Sequence, residues 1–231
     1  MKVGYLVLLS LIFILCAGFI AQKPTAMFTS FEEFNRGPED GVDLVWSTKK
    51  IYDEASLKTI LSKYDSLIIG QIWVVVDKDT ASDLNDKQLL EISRHVAKEI
   101  KNKFGLWFKL VDIPTENTLR LSSVLTNIEK PKPFFAQPGG SLPVSPEIPT
   151  VSKIVANKDS TVGRARLELF FSDANTKEPL IATIDKYVDD KGVSTIVASQ
   201  DATKEALSWW IERFWTTLVY WNWIQARVEK G

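Results

Sequence analysis

The chain has 231 residues, with Lys+Arg 28 against Asp+Glu 29, one histidine and one cysteine. A net charge of −1 leaves no surplus of cations to track a phosphate backbone, so nucleic acid is not an expected partner. One cysteine cannot form an internal disulfide, and one cysteine with one histidine excludes the usual zinc ligand sets; neither a metal nor a cofactor is expected.

Residues 1–21 open with Met1-Lys2 and continue from Val3 to Ala21 without a charge. That pattern is an export signal or an N-terminal membrane anchor, and it places the rest of the chain outside the cytoplasm. Three fates are open. Cleavage after Ala21 puts bulky Phe19 at the −3 position, whereas cleavage after Gly18 puts Cys16 there. Acylation at Cys16 needs a small residue before it, and Leu15 occupies that place. An uncleaved anchor needs only length, and residues 3–21 as a helix span about 28 Å, close to the hydrocarbon thickness.

Residues 22–43 read as a linker, with the turn Arg36-Gly-Pro-Glu-Asp-Gly41 and three phenylalanines at 28, 31 and 34. Residues 44–228 read as one α+β domain. Leu57, Ile60 and Leu61 have helical spacing, and Ser66–Val76 is apolar on both faces, as a central strand is. Leu89, Ile92, Val96, Ile100 and Phe104 form one helical stripe, with Asn85 or Asp86 as cap and Gly105 as terminator. Leu106–Val111 then reads as a strand, and Thr118–Ile128 as a half-buried one. Residues 129–160 hold six of the ten prolines and read as a long irregular loop. Thr161–Phe171 and Pro179–Asp185 alternate around the turn Asp173-Ala-Asn-Thr-Lys177, a hairpin pattern. A helix follows from about Ala202 to Arg227. The expected architecture is a mostly antiparallel sheet with two main helices packed on one face, preceded by the N-terminal signal or anchor helix.

Several phrases resemble a bacterial lipoprotein family, domain-of-unknown-function family 3313. They are Arg36-Gly-Pro-Glu-Asp-Gly-Val-Asp-Leu44, Lys63-Tyr-Asp-Ser-Leu-Ile-Ile69 and Leu119-Arg-Leu-Ser-Ser-Val-Leu-Thr-Asn127. Gly163-Arg-Ala-Arg-Leu-Glu168 and the following Asp173-to-Asp185 segment complete the pattern, which covers roughly residues 28 to 215. The resemblance implies an envelope lipoprotein and carries over no catalytic residue.

Read for chemistry, the residues are sparse. His95 lies one position off the apolar stripe of its helix, as a solvated or partly buried histidine would. Arg164 and Arg166, with Arg120, alternate onto the expected solvent face of their strands. Leu207, Trp210, Ile211, Phe214, Leu218, Trp221 and Ile224 account for the core-facing stripe of the last helix. That leaves Trp209, Trp215, Tyr220 and Trp223 as candidate contacts with a protein partner or a membrane, or as residues buried beneath the Pro-rich loop. The expected function is a non-enzymatic binding or scaffolding component of the envelope. It would be tethered through residues 3–21 or a lipid on Cys16, with an envelope protein as partner. Two alternatives are a hydrolase using carboxylates such as Asp77 and Asp185, and a carrier with a cavity lined by Trp73 and Trp107.

Overall fold

A computed structural model of the chain describes residues 31–76, 84–129, 151–155, 161–186 and 200–221. In chain order these residues form a 3-10 turn at Phe31–Glu33, then β1 (Asn35–Arg36), β2 (Leu44–Ser47) and α1 (Glu54–Leu61). They continue with β3 (Ser66–Val76), α2 (Asp86–Phe104), β4 (Lys109–Leu110) and β5 (Thr118–Glu129). The last elements are β6 (Val151–Val155), β7 (Thr161–Asp173), β8 (Pro179–Lys186) and α3 (Gln200–Tyr220). The strands lie in the order β1-β2-β8-β7-β5-β3-β4, and β6 also pairs with β3. The three pairings of β3 are parallel and the rest antiparallel, so the expected mostly antiparallel α+β unit is found.

Local chemistry explains the helices. Asn85 accepts from the Gln88 backbone while the Gln88 side chain accepts from the Asn85 N–H, a reciprocal cap that starts α2. Gly105 ends it, its N–H donating to the Lys101 carbonyl at 2.9 Å. Asp53 and Ser56 form the equivalent cap on α1. The apolar stripes of all three helices join one side of the sheet in a single core, where Phe104, Phe171 and Phe214 meet with ring centroids 5.4–6.3 Å apart.

The other side of the sheet is the principal correction to the sequence reading. Arg120 and Arg166, expected in solvent, are buried, and Arg166 Nη2 bonds the buried Glu168 Oε1 at 2.9 Å. Around them Trp73, Val75, Val124, Phe170, Ala182 and Ile184 form a second apolar cluster. β5 is thus buried on both faces, not half-buried. Phe34 is part of this cluster, and Phe31 packs against it with Arg166 above its ring at 5.9 Å. Residues 31–43 therefore belong to the folded unit: β1 pairs with β2, and Val42 is in the main core.

Two further differences concern strands. Only Lys109–Leu110 of the expected strand at 106–111 pairs with β3. Within the stretch read as Pro-rich loop, Val151–Val155 is a strand on the outer edge of β3. The register of β3 against β5 shifts between Ile69 and Ile72. Gly70 lies in that shift, and a Cβ there would stand 2.6 Å from Ser122 Oγ and 3.1 Å from both Arg120 Cγ and the Leu121 carbonyl. The hairpin turn is held by Asp173, whose Oδ1 accepts from the N–H groups of Asn175 at 2.9 Å and Thr176 at 2.7 Å.

Candidate functional site

The C-terminal helix carries most of the residues singled out from sequence, and α3 separates them. Leu207, Trp210, Ile211, Phe214 and Leu218 are buried, as the stripe required. Trp215 is half-buried, edge-on to Phe104 at 5.3 Å and beside Trp107 at 6.1 Å, so it reads as core. Trp209 is 37% exposed and Tyr220 67%. Trp223 and Cys16 lie outside the described residues, as do residues 1–21, Asp77 and residues 130–150 of the Pro-rich loop. No helix among the described residues is long and apolar enough to cross a membrane.

A polar cluster missed by the sequence reading lies beside Trp209. Arg213 Nε donates to Asp185 Oδ2 at 2.6 Å, and its Nη2 donates to Asp185 Oδ1 and Asp43 Oδ1, both at 3.1 Å. Its guanidinium carbon sits 4.6 Å from the centre of the Trp209 ring. The Asp43 N–H donates to Asp185 Oδ1 at 3.2 Å, and the Lys186 N–H donates to Asp43 Oδ2 at 3.1 Å. Burial pushes the Asp185 carboxyl up to about 7 even with Arg213 bonded to it, and the charge of Asp43 pushes the same way. Burial works against the charge on Arg213, but the bonds and charge of Asp185, with the charges of Asp43 and Asp40, hold its pKa above the ordinary value.

The loop 36–43 is shaped to reach this arginine. A Cβ at Gly37 would fall 1.8 Å from the Val42 carbonyl oxygen, and one at Gly41 would fall 2.5 Å from Thr217 Oγ1. Asp40 holds φ 62 between them, and the Val42 N–H donates to Thr217 Oγ1 at 3.0 Å. The loop and Arg213 border a cleft of about 580 Å³. A second cleft of about 680 Å³ lies along β2 and the start of α1, bordered by Arg36, Lys49, Tyr52 and Trp221.

The cluster is a clamp in geometry, since each Asp185 oxygen already faces the guanidinium. Both Asp185 oxygens are thus engaged in holding α3 against β8, a structural use of the carboxyl. His95 is similarly occupied: its Nε2 lies 3.0 Å from the Lys204 carbonyl and 2.9 Å from Ser208 Oγ. A carbonyl only accepts, so Nε2 carries the hydrogen and is not placed to take a proton from Ser208. This bond ties α2 to α3. No group of three or more metal-ligating side chains occurs among the described residues. Trp73 and Trp107 belong to clusters on opposite sides of the sheet, so they do not line one cavity.

Other residues escaped the sequence reading as site candidates. Tyr52, Leu106 and Ile113 are the most exposed large apolar side chains among the described residues. Leu106 and Ile113 flank the short β4, and the sequence signal that would have found them is the pair of turn residues Gly105 and Pro114 beside each. For the clamp, the signal was a lone arginine among Trp209, Trp210, Phe214 and Trp215 of α3.

The fold and these contacts define an α+β domain whose N-terminal loop is bolted to its last helix. The family model described as protein of unknown function (DUF3313) matches residues 49–214, and the chain belongs to that family. No curated protein matches the chain.

Proposed function

We propose that the chain is a membrane-tethered, extracytoplasmic component of the bacterial envelope that binds another envelope protein. The tether is the apolar segment 3–21 or a lipid on Cys16. The observation that carries the binding role is the placement of Tyr52, Leu106 and Ile113. They stand on the loops β2–α1, α2–β4 and β4–β5, at the end of the sheet where β3 begins beside Lys109 and Thr118. Leu106 and Ile113 flank one two-residue strand at the β4 edge, Tyr52 lies at the β2 edge of the same end, and the Leu106–Ile113 pair is the part of this end that supports a contact surface. Trp209 and Tyr220 add aromatic surface on α3, and the Pro-rich loop 129–160 is a further contact candidate. The hydrolase alternative has less support, because Asp185 and His95 are engaged in the clamp and the helix tie.

The test is photo-crosslinking in a bacterial host that expresses the full chain. A photoreactive residue at Leu106 is expected to give discrete adducts, and one at exposed Glu205 none. Equal labelling at both positions, or none at Leu106, contradicts the binding role.

A further inference from the structure

We infer that the cleft between the β2 edge and α1 takes a short extended segment of a partner protein, with an apolar side chain flanked by acidic ones. The segment lies beside Ser47 as one more strand and puts its apolar side chain into the cleft. The site is at the β1–β2 edge of the sheet, apart from Leu106 and Ile113 at the β4 edge. Only the source of the segment, an envelope protein, rests on the function proposed above.

The backbone of β2 supplies the first argument. Asn35 pairs with Val45 across β1 and β2, and the Thr48 N–H donates to the Leu180 carbonyl, on the β8 side, at 2.9 Å. Backbone groups alternate sides along a strand, so those of Ser47 face away from β8, toward the β1 edge. β1 is only two residues long and pairs with Leu44 and Val45. Before it the chain turns at Phe34 into the second apolar cluster, on the other side of the sheet. Among the described residues, no strand therefore lies opposite Ser47 on that side. Ser47 is half-buried, so the edge is open to an extended backbone from outside. The open stretch is short, and the bonds at Ser47 set the register of what adds to it.

The side chains around Ser47 define what the segment carries. Ser47 lines the cleft of about 680 Å³, a volume inside the range of about 300–1,000 Å³ usual for binding sites. Buried Val45 and Leu57, with half-buried Ile51, give the cleft an apolar lining. Tyr52, 82% exposed, and half-buried Trp221 add aromatic area that an incoming apolar side chain would cover. Arg36 and Lys49 border the cleft from the edge side, both exposed and in no ion pair with a described carboxylate. The acids of the cleft are on the α1 side, where Asp53 is engaged in the helix cap and Glu54 stands beside it. Acidic side chains of the segment are thus matched by the two cations on the edge, with the apolar side chain between edge and helix.

The test selects a phage-displayed library of random linear peptides against the full chain purified in detergent. Selected peptides are expected to share an apolar residue with Asp or Glu close to it. In synthetic copies, N-methylation of the backbone at the position opposite Ser47 is expected to weaken binding about ten-fold or more, and at the adjacent positions little. Arg36→Glu with Lys49→Glu is expected to weaken binding about five-fold or more, whereas Leu106→Asp leaves it unchanged. The methylation scan needs no variant of the chain, so it decides the matter even if the double substitution does not fold. No enrichment, or peptides indifferent to methylation at every position, overturns the inference, as does indifference to the charge reversal in a folded chain. Binding lost in Leu106→Asp and kept in the charge reversal overturns the cleft and leaves the contact role of Leu106 standing. Binding that appears only when residues 222–231 are deleted gives the cleft to that segment of the chain itself and overturns the partner.

Discussion

Arg213 is the side chain through which the N-terminal loop, β8 and α3 act on one another. Arg213→Met leaves the Asp185 carboxyl buried without its cation and removes the bond to Asp43, at an expected cost of about 2–4 kcal/mol. Urea unfolding above pH 7 reads this directly, because the lone carboxyl is most costly when ionised. The pH dependence has a definite sign. The folded-state value of about 7 is above the ordinary 3.8, so the folded chain holds a proton that the unfolded chain releases. The stability this contributes is fully present below about pH 4 and is lost as pH rises toward about 7. Arg213, Asp43 and the more distant Asp40 are the charged groups arranged around it. Asp185→Asn has no proton to release, so its stability relative to the natural chain should rise with pH across that window. A difference that stays constant from pH 4 to 7 would contradict the assignment. Two aromatic substitutions on α3 should diverge as well. Trp215→Ala opens a space against Phe104 and should cost about 2–4 kcal/mol, whereas Tyr220→Ala should stay within about 0.5 kcal/mol. Thermal unfolding of the two variants distinguishes core from surface.

At the scale of elements, the sheet depends on close approaches that few side chains permit. Gly70→Ala pushes a methyl group toward Ser122 Oγ and the Leu121 carbonyl, and the backbone oxygen cannot rotate away. An expected loss of about 1–3 kcal/mol follows, measured as a shift of the urea midpoint. α2 was legible in the sequence because everything that makes it is local: the cap at Asn85, the stripe from Leu89 to Phe104, the stop at Gly105. The buried arginines were not. Alternation along β5 and β7 separates two faces but does not say whether the second face meets water, and here Phe31 and Phe34 come from a distant segment to pack on it. β6 was hidden for a related reason, since Val-Ser-Lys-Ile-Val just after the prolines that end at Pro149 becomes a strand by pairing with the outer edge of β3. The clamp joins Arg213 to residues 28 and 170 positions away, a separation that no local pattern registers.

For the whole molecule, these contacts make the N-terminal segment part of the fold. Phe34 enters one cluster, Val42 the other, and Asp43 holds the last helix. A force or a tether at residue 31 is thereby passed to both faces of the sheet. The exposed side chains at the far end are free of the second face and of the clamp, so substituting them should change binding and not stability. Leu106→Asp is expected to leave the urea midpoint within about 0.5 kcal/mol of the natural chain while abolishing the photo-crosslinked adducts formed from a photoreactive residue at nearby Ile113. The most direct test of the tethered account is the intact mass of the full chain extracted from the membranes of a bacterial host, beside Cys16→Ala. The account expects a membrane-bound product, either unprocessed or cut before Cys16 and carrying a lipid that the substitution removes. A soluble product that has lost the apolar segment and carries no lipid would contradict it.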